Sequence, residues 1–114
     1  MGILSTTPTT MDQCIEECLR CARACEECNT ACLQEPDVQE RIACMQHLHD
    51  CADICFEAAG FMARNSANSK ALCALCASIC EECAVECEKF KDDHCQECAK
   101  ICRSCAEMCR QMAQ

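Results

Sequence analysis

Cysteine recurs at alternating intervals of three and four along most of this chain, and that rhythm restricts its fold more than any other feature. The runs are Cys14, Cys18, Cys21, Cys25, Cys28 and Cys32, then Cys73, Cys76, Cys80, Cys83 and Cys87, then Cys95, Cys98, Cys102, Cys105 and Cys109. Such an alternation is the a/d seam of a helical heptad, the stripe that a helix turns toward its neighbours in a bundle. A strand would need period two, and a zinc ribbon would need turn residues, whereas only two Gly and two Pro occur in 114 residues. The unit Cys-Ala-x-x-Cys-x-x-Cys recurs from Cys21, from Cys76 and from Cys98, so the same helical face is built three times.

Breaks fall at Gln34-Glu35-Pro36-Asp37, at 65–69 and at Lys91-Asp92-Asp93-His94. Helices are expected at about 9–33, 38–64, 69–90 and 93–112, started by Thr10 with Gln13 or Thr7 before Pro8, by Asp37 with Glu40, by Asn68 or Ser69, and by Asp93 with Gln96. Short connections force consecutive helices to run antiparallel. The expected fold is all-α, an antiparallel up-down-up-down four-helix bundle with a Cys-lined core over residues 9–114, preceded by a flexible tail over 1–8.

Composition makes sulfur the interior. Only 23 residues are Ile, Leu, Val, Phe or Met, there is no Trp or Tyr, and 19 are Cys. Leu72, Ile79, Ile101 and Met108 flank the seam on one side, and Ala77, Ala84, Ala99 and Ala106 on the other, so hydrocarbon seals the helix contacts. Glu16, Arg20, Arg23, Glu27, Glu81, Glu82, Lys100 and Arg103 fall on the opposite, solvated faces. The second helix differs: Cys44, Cys51 and Cys55 share a face, but Leu48, Ala58 and Met62 stand where the stripe would continue.

A net charge of −9 repels nucleic-acid backbones and anionic membrane surfaces, and no stretch approaches the ~20 apolar residues that span a bilayer. Met1 to Thr10 show neither the basic start nor the apolar run of a secretory signal, so a cytoplasmic protein is expected. No Gly-rich phosphate loop and no Ser/His/Asp arrangement is present, and binding rather than catalysis is the expected activity.

A helix brings the Cβ atoms of residues i and i+4 to about 5–6 Å, so one Cys-x-x-x-Cys pair can hold an ion between successive turns. Two thiolates in a nearly linear arrangement suit a soft monovalent ion, and Cu(I) is that ion in cells. A tetrahedral zinc site wants four ligands wrapped by turns, and ferredoxin-type clusters want a Cys before Pro, which is absent here. An odd count of cysteines argues against a disulfide framework. The residues alone leave open a zinc or mixed soft-metal buffer and a thiol redox protein beside a Cu(I) store. His94 precedes Cys95 at the end that also carries Cys32, Cys44 and Cys87, and His47 lies one turn from Cys44; His49 is expected to point outward. Met11, Met62 and Met112 gather with Cys14, Cys73 and Cys109 at the other end.

With Cys-x-x-x-Cys pairs on each helix and a closing Asp-His-Cys-Gln-x-Cys-Ala-x-x-Cys-x-x-Cys-Ala-x-x-Cys-Arg-x-Met stretch from Asp93 to Met112, the chain resembles the bacterial copper storage proteins, the cytosolic branch above all. The resemblance covers about residues 12–112. It implies a homotetramer of bundles, each holding many Cu(I) ions on the nineteen Cys thiolates, with His residues at one end assisting admission. By position that role falls on His94 and then on His47.

Overall fold

The computed structural model describes Ile3 and residues 9–114. Four helices, α1 (Thr10–Leu33), α2 (Ile42–Ala63), α3 (Ser69–Cys87) and α4 (Asp93–Ala113), follow one another, with a short 3-10 turn over Val38–Arg41 before α2. Each packs on the next and α1 closes onto α4, which gives the up-down-up-down bundle in a body of 46 × 25 × 17 Å. The tail expected over residues 1–8 lies outside the described residues, apart from an exposed Ile3. Among the described residues, no helix is long and apolar enough to cross a membrane.

The helix starts sit close to their expected places, with differences that have local causes. At α1 the capping box is formed by Thr9 and Asp12 rather than Thr10 and Gln13: Thr9 Oγ1 accepts from the Asp12 amide at 3.0 Å, and the Thr9 amide donates to Asp12 Oδ2 at 2.9 Å. A carboxylate in the first turn also meets the positive end of the helix dipole, which neutral Gln13 cannot do. Asp37 does not cap. Its carboxylate accepts from Arg41 Nε at 2.6 Å, and residues 38–41 tighten into the 3-10 turn, so α2 proper begins at Ile42 instead of 38. α2 ends in a Schellman arrangement, with Asn65 at φ 52°, its amide on Met62 O at 3.0 Å and the Ser66 amide on Phe61 O at 2.9 Å. Asn tolerates that left-handed backbone better than a β-branched residue would.

α3 stops at Cys87, three residues short of the expected end, and Asp92 rather than Asp93 stands at the N-cap position of α4. The reason is again a competing partner. Gln96 Nε2 donates to Phe90 O at 2.6 Å, which fastens the α3–α4 connection to the first turn of α4, and the Asp92 carboxylate is taken by Arg41. On the outside, a fork from Arg103 to Glu88 and a pair between Arg110 and Glu81 run from α4 to α3.

All nineteen Cys are no more than 2% exposed, and Ala22, Ala52, Ala77, Ala84, Ala99 and Ala106 let the helices close around them. Leu48 and Met62 are the two large hydrocarbon-rich side chains in the fully buried set, at the positions where α2 lacks sulfur. Ile15, Ile54, Leu72, Ile79, Ile101 and Met108 pack half-buried against this core and seal its sides. Leu48 therefore fills a gap that no thiol could fill. Leu48→Ala is expected to lower the unfolding free energy of the metal-free protein by about 2–5 kcal/mol. Urea unfolding would read this as a lower midpoint with an unchanged slope.

Candidate metal centre

The register between helices sets where the sulfurs meet. In the 3-4 alternation every second Cys recurs after seven residues, so one sulfur of a facing helix can drop between the two members of an i,i+4 pair, as a knob drops into a hole. Each pair on α1 straddles a sulfur of α4 in this way. Cys14 and Cys18 lie 3.9 and 3.5 Å from Cys109, Cys21 and Cys25 lie 3.8 and 3.7 Å from Cys102, and Cys28 and Cys32 lie 3.8 and 3.9 Å from Cys95. The relation is reciprocal, since Cys105 and Cys109 straddle Cys18 at 3.7 and 3.5 Å, and Cys98 and Cys102 straddle Cys25 at 4.0 and 3.7 Å. The result is a zigzag of sulfur along the whole α1–α4 seam.

A second ladder runs between α2 and α3. Cys51 and Cys55 both lie 3.6 Å from Cys80, Cys55 lies 3.7 Å from Cys76, and Cys44 meets Cys87 at 3.8 Å. Cys21 with Cys51 and Cys55 with Cys105, each at 3.9 Å, join the two ladders into one column. Cys83 interacts with Cys102, Cys25, Cys51 and Cys87 in its middle, and Cys73 lies beside Cys18 and Cys76 at one end. All nineteen are free thiols. The i,i+4 pair alone was the unit expected from sequence, yet the close contacts are mostly between helices. Within one helix they comprise Cys76 with Cys80 at 3.8 Å and Cys105 with Cys109 at 4.0 Å.

Several four-sulfur sets have every ligand atom within 4.8 Å of the others, among them Cys18, Cys76, Cys105 and Cys109; Cys21, Cys55, Cys80 and Cys105; and Cys21, Cys25, Cys51 and Cys102. Because Cys21 and Cys105 each belong to two sets, an ion in one shares thiolates with its neighbour. Such a column can take two-coordinate or three-coordinate soft ions, bridged by sulfur, at almost any level.

One end departs from pure sulfur. His94 joins Cys28, Cys32 and Cys95 in a cluster, with Nδ1 3.4 Å from Cys28 Sγ and 3.6 Å from Cys95 Sγ. Its Nε2 is buried without a hydrogen bond; the carboxylates of Asp92 at 3.3 Å and Glu35 at 3.6 Å are near but not in hydrogen-bonding geometry. His47 is half-buried on α2 and makes no hydrogen bond to a thiol, while exposed His49 faces Asp53 on the surface, as expected for it. At the opposite end Met62 is buried, and Met11 and Met112 pack half-buried against the core near the Cys14–Cys109 contact.

Arg41 completes the His94 end, and nothing in the sequence rhythm points to it. An Arg in a charged loop before a helix reads as solvated; the faint signals are Asp37 four residues before it and the acidic Asp92 that the fold brings alongside. Its guanidinium is 3% exposed, forks onto Asp92 at 2.7 and 2.8 Å, and lies 4.5 Å over the Phe90 ring. Nη1 also donates to Cys95 Sγ at 3.5 Å and to Cys32 Sγ at 3.8 Å. The pairing holds the Asp92 carboxyl well below the usual carboxylate range, and Asp92 in turn raises the guanidinium.

A fold that stacks free thiols into a continuous buried column, with imidazole at one end, is that of a thiolate protein that stores metal ions in bulk. The chain belongs to the copper storage protein family, whose sequence profile matches residues 7–114. It is 48% identical over 102 residues to the cysteine-rich protein YhjQ of Bacillus subtilis, which covers 90% of this chain and 94% of that one. Among solved structures, apo copper storage protein 3 of Bacillus subtilis matches with a TM-score of 0.86 at 48% identity, over 90% of this chain and 98% of that chain. The Cu(I)-bound copper storage protein BsCsp3 matches at 0.88 and 48%, over 93% and 100%. The copper storage protein of Streptomyces lividans loaded with 10 copper equivalents matches at 0.89 and 37%, over 96% and 94%. The residue-level expectation of a Cys-lined bundle that binds rather than catalyses thus agrees with the family.

The thiols carry a pH signature. Burial, with the neighbouring Cys18 and Cys76 adding to it, pushes the Cys73 thiol from the ordinary 9.0 up to about 11. Burial likewise raises Cys95. Cys18 moves the other way, because Cys105 donates to its sulfur, with Cys109 and Cys14 adding to the effect. For a thiol raised in the folded state, the stabilisation is complete below the unfolded value near 9.0 and is lost as pH rises through the folded value of about 11. Titration of Cys73 is expected to lower the thermal midpoint of metal-free protein across the window from about pH 9 to about pH 11. Copper-loaded protein, whose thiols have already lost their protons, is expected to show no such fall over the same window.

Proposed function

We propose that this chain stores Cu(I) in the cytosol, holding many ions at once on its nineteen Cys thiolates, and that Cu(I) is admitted at the end formed by Cys28, Cys32, His94 and Cys95. The observation that carries this reading is the run of sulfur contacts of 3.5–4.0 Å from Cys14 through α4, α2 and α3 to Cys98, continued to Cys32 and Cys95 by the Cys28, Cys87 and Cys98 set, whose sulfurs lie within 4.8 Å of one another. Soft monovalent ions favour thiolate over every other protein ligand, and bridging thiolates let capacity grow with the number of sulfurs. A relative from Streptomyces lividans, in a structure with five coppers, is itself described as a cytosolic copper storage protein.

Admission at the His94 end rests on the imidazole that reaches two sulfurs while its own Nε2 stays without a hydrogen bond. An imidazole passes Cu(I) inward without holding it as tightly as thiolate does. His47 stands at the same end as a weaker candidate. Homotetramer assembly is proposed with it; Phe56, Leu75 and Val85, each about half exposed on α2 and α3, supply apolar surface for such contacts.

Anaerobic titration of reduced protein with Cu(I) against a competing chelator, with zinc in parallel, tests the storage reading. Saturation is expected near one Cu(I) per thiol, on the order of ten to twenty per chain, with zinc displaced by Cu(I). Saturation at about one to four ions would refute it. The choice of end has its own test: replacing His94 and His47 by Phe should slow stopped-flow loading and leave final capacity nearly unchanged. Loading that slows instead when Met62 and Met112 become Leu would move the mouth to the other end.

A further inference from the structure

We infer that Arg41 is the positioning residue of the copper mouth: its guanidinium, aimed by the fork onto Asp92, donates to the sulfurs of Cys32 and Cys95 and compensates the negative charge that forms when these thiols capture the first Cu(I). The inference rests on the reading that copper is admitted beside His94.

Arg41 is the one buried charged side chain among the described residues. Taking a charge out of water costs several kcal/mol before its partners repay any of it. Closing the bundle does not require that cost, since Met62 with Met11 and Met112 covers the opposite end of the column without any charge. What differs at this end is the place of the cation. Nη1 faces Cys95 at 3.5 Å and Cys32 at 3.8 Å while both nitrogens of the fork hold Asp92 and Nε holds Asp37 at 2.6 Å. Glu35 stands 3.7 Å from Nη2, and the Phe90 ring supports the plane from below.

The chemistry at those sulfurs creates charge. When one Cu(I) binds two thiols, two S–H bonds break, two Cu–S bonds form, two protons leave to water, and copper keeps its oxidation state. The product is a dithiolate unit of charge −1 in a dry site. As ions come to share thiolates and the column fills toward one ion per thiolate the sum returns to zero, so the negative charge added per ion is greatest for the first ions. Guanidinium N–H groups donating to the sulfurs spread that charge, as outer-shell donors do at other metal sites. The described interior sulfur sets contain no cation, so the mouth is favoured as the place of first capture.

The test compares three full-length variants for stopped-flow loading at less than one Cu(I) per chain, each checked for helix content and thermal midpoint. R41M, which keeps length and removes charge, is expected to load about 10- to 100-fold more slowly, the usual scale for loss of an outer-shell partner. R41K keeps the charge without the fork and should fall between R41M and the parent. D37N breaks a tether but leaves the cation on the sulfurs with less competing negative charge, so it should load as fast as the parent or faster. A parental rate for R41M, an R41K as slow as R41M, or a D37N as slow as R41M would overturn the inference; the last result would mean that Arg41 only braces the loop. Final capacity and the His94 variant separate this from failure of the wider reading. If capacity is high and H94F slows loading while R41M does not, Arg41 alone is wrongly assigned.

Discussion

The whole molecule depends on packing sulfur where other bundles pack hydrocarbon. A thiol is compact and soft, a small hydrophobe that hydrogen-bonds weakly, so nineteen of them fill an interior without leaving a polar group in serious want of a partner. The helices must then approach closely, which is why Ala rather than Leu flanks the seams at Ala22, Ala52, Ala77, Ala84, Ala99 and Ala106. Where α2 lacks sulfur, Leu48 and Met62 supply the missing bulk. On the proposed reading capacity follows from the same constraint, because residues that serve as core in the metal-free protein become the ligands once their protons leave.

The two ends of the column differ in chemistry. One is closed by thioethers and hydrocarbon, the other by an imidazole and a guanidinium held among Asp37, Asp92 and Glu35. This asymmetry gives a uniform tube a direction. It also ties structure to dynamics, since Arg41 joins the α1–α2 connection and its 3-10 turn to the N-terminus of α4 and the Phe90 ring after α3. The His94 end is the part of the bundle that has most chain connections and least regular helix.

The fold was legible in the sequence because the heptad alternation is a folding instruction that also sets the candidate ligands on one face of each helix. Cys14 to Cys32, Cys73 to Cys87 and Cys95 to Cys109 needed only the 3-4 spacing to be placed inside, and the conjunction of Cys32, Cys44, Cys87 and Cys95 at one end needed only antiparallel order. What the sequence hid was relative register. Whether Cys102 meets Cys21 alone or sits between Cys21 and Cys25 depends on a shift of a few ångströms along α4, which no single-helix pattern encodes. Arg41 and Asp92 were hidden for a similar reason, because their meeting joins two loops far apart in the chain. Pairing with Arg41 occupies the carboxylates of Asp37 and Asp92, and α2 begins four residues later than expected, while α4 begins at Asp93 as expected.

Because the helix ends are satisfied by backbone and side-chain partners at Thr9, Asp12, Asn65 and Gln96, and the sulfurs already sit at 3.5–4.0 Å, the metal-free chain has little left to organise. That sets it apart from small zinc domains, in which binding free energy is also folding free energy. In a prefolded column the binding energy of each ion is opposed mainly by the loss of protons and by desolvation of Cu(I). On the proposed reading the first ions release more protons each than later ones that share thiolates, so the cost of filling falls along the ladder. If Cu(I) enters beside His94, the rate of loading is set where the ligands cease to be uniform.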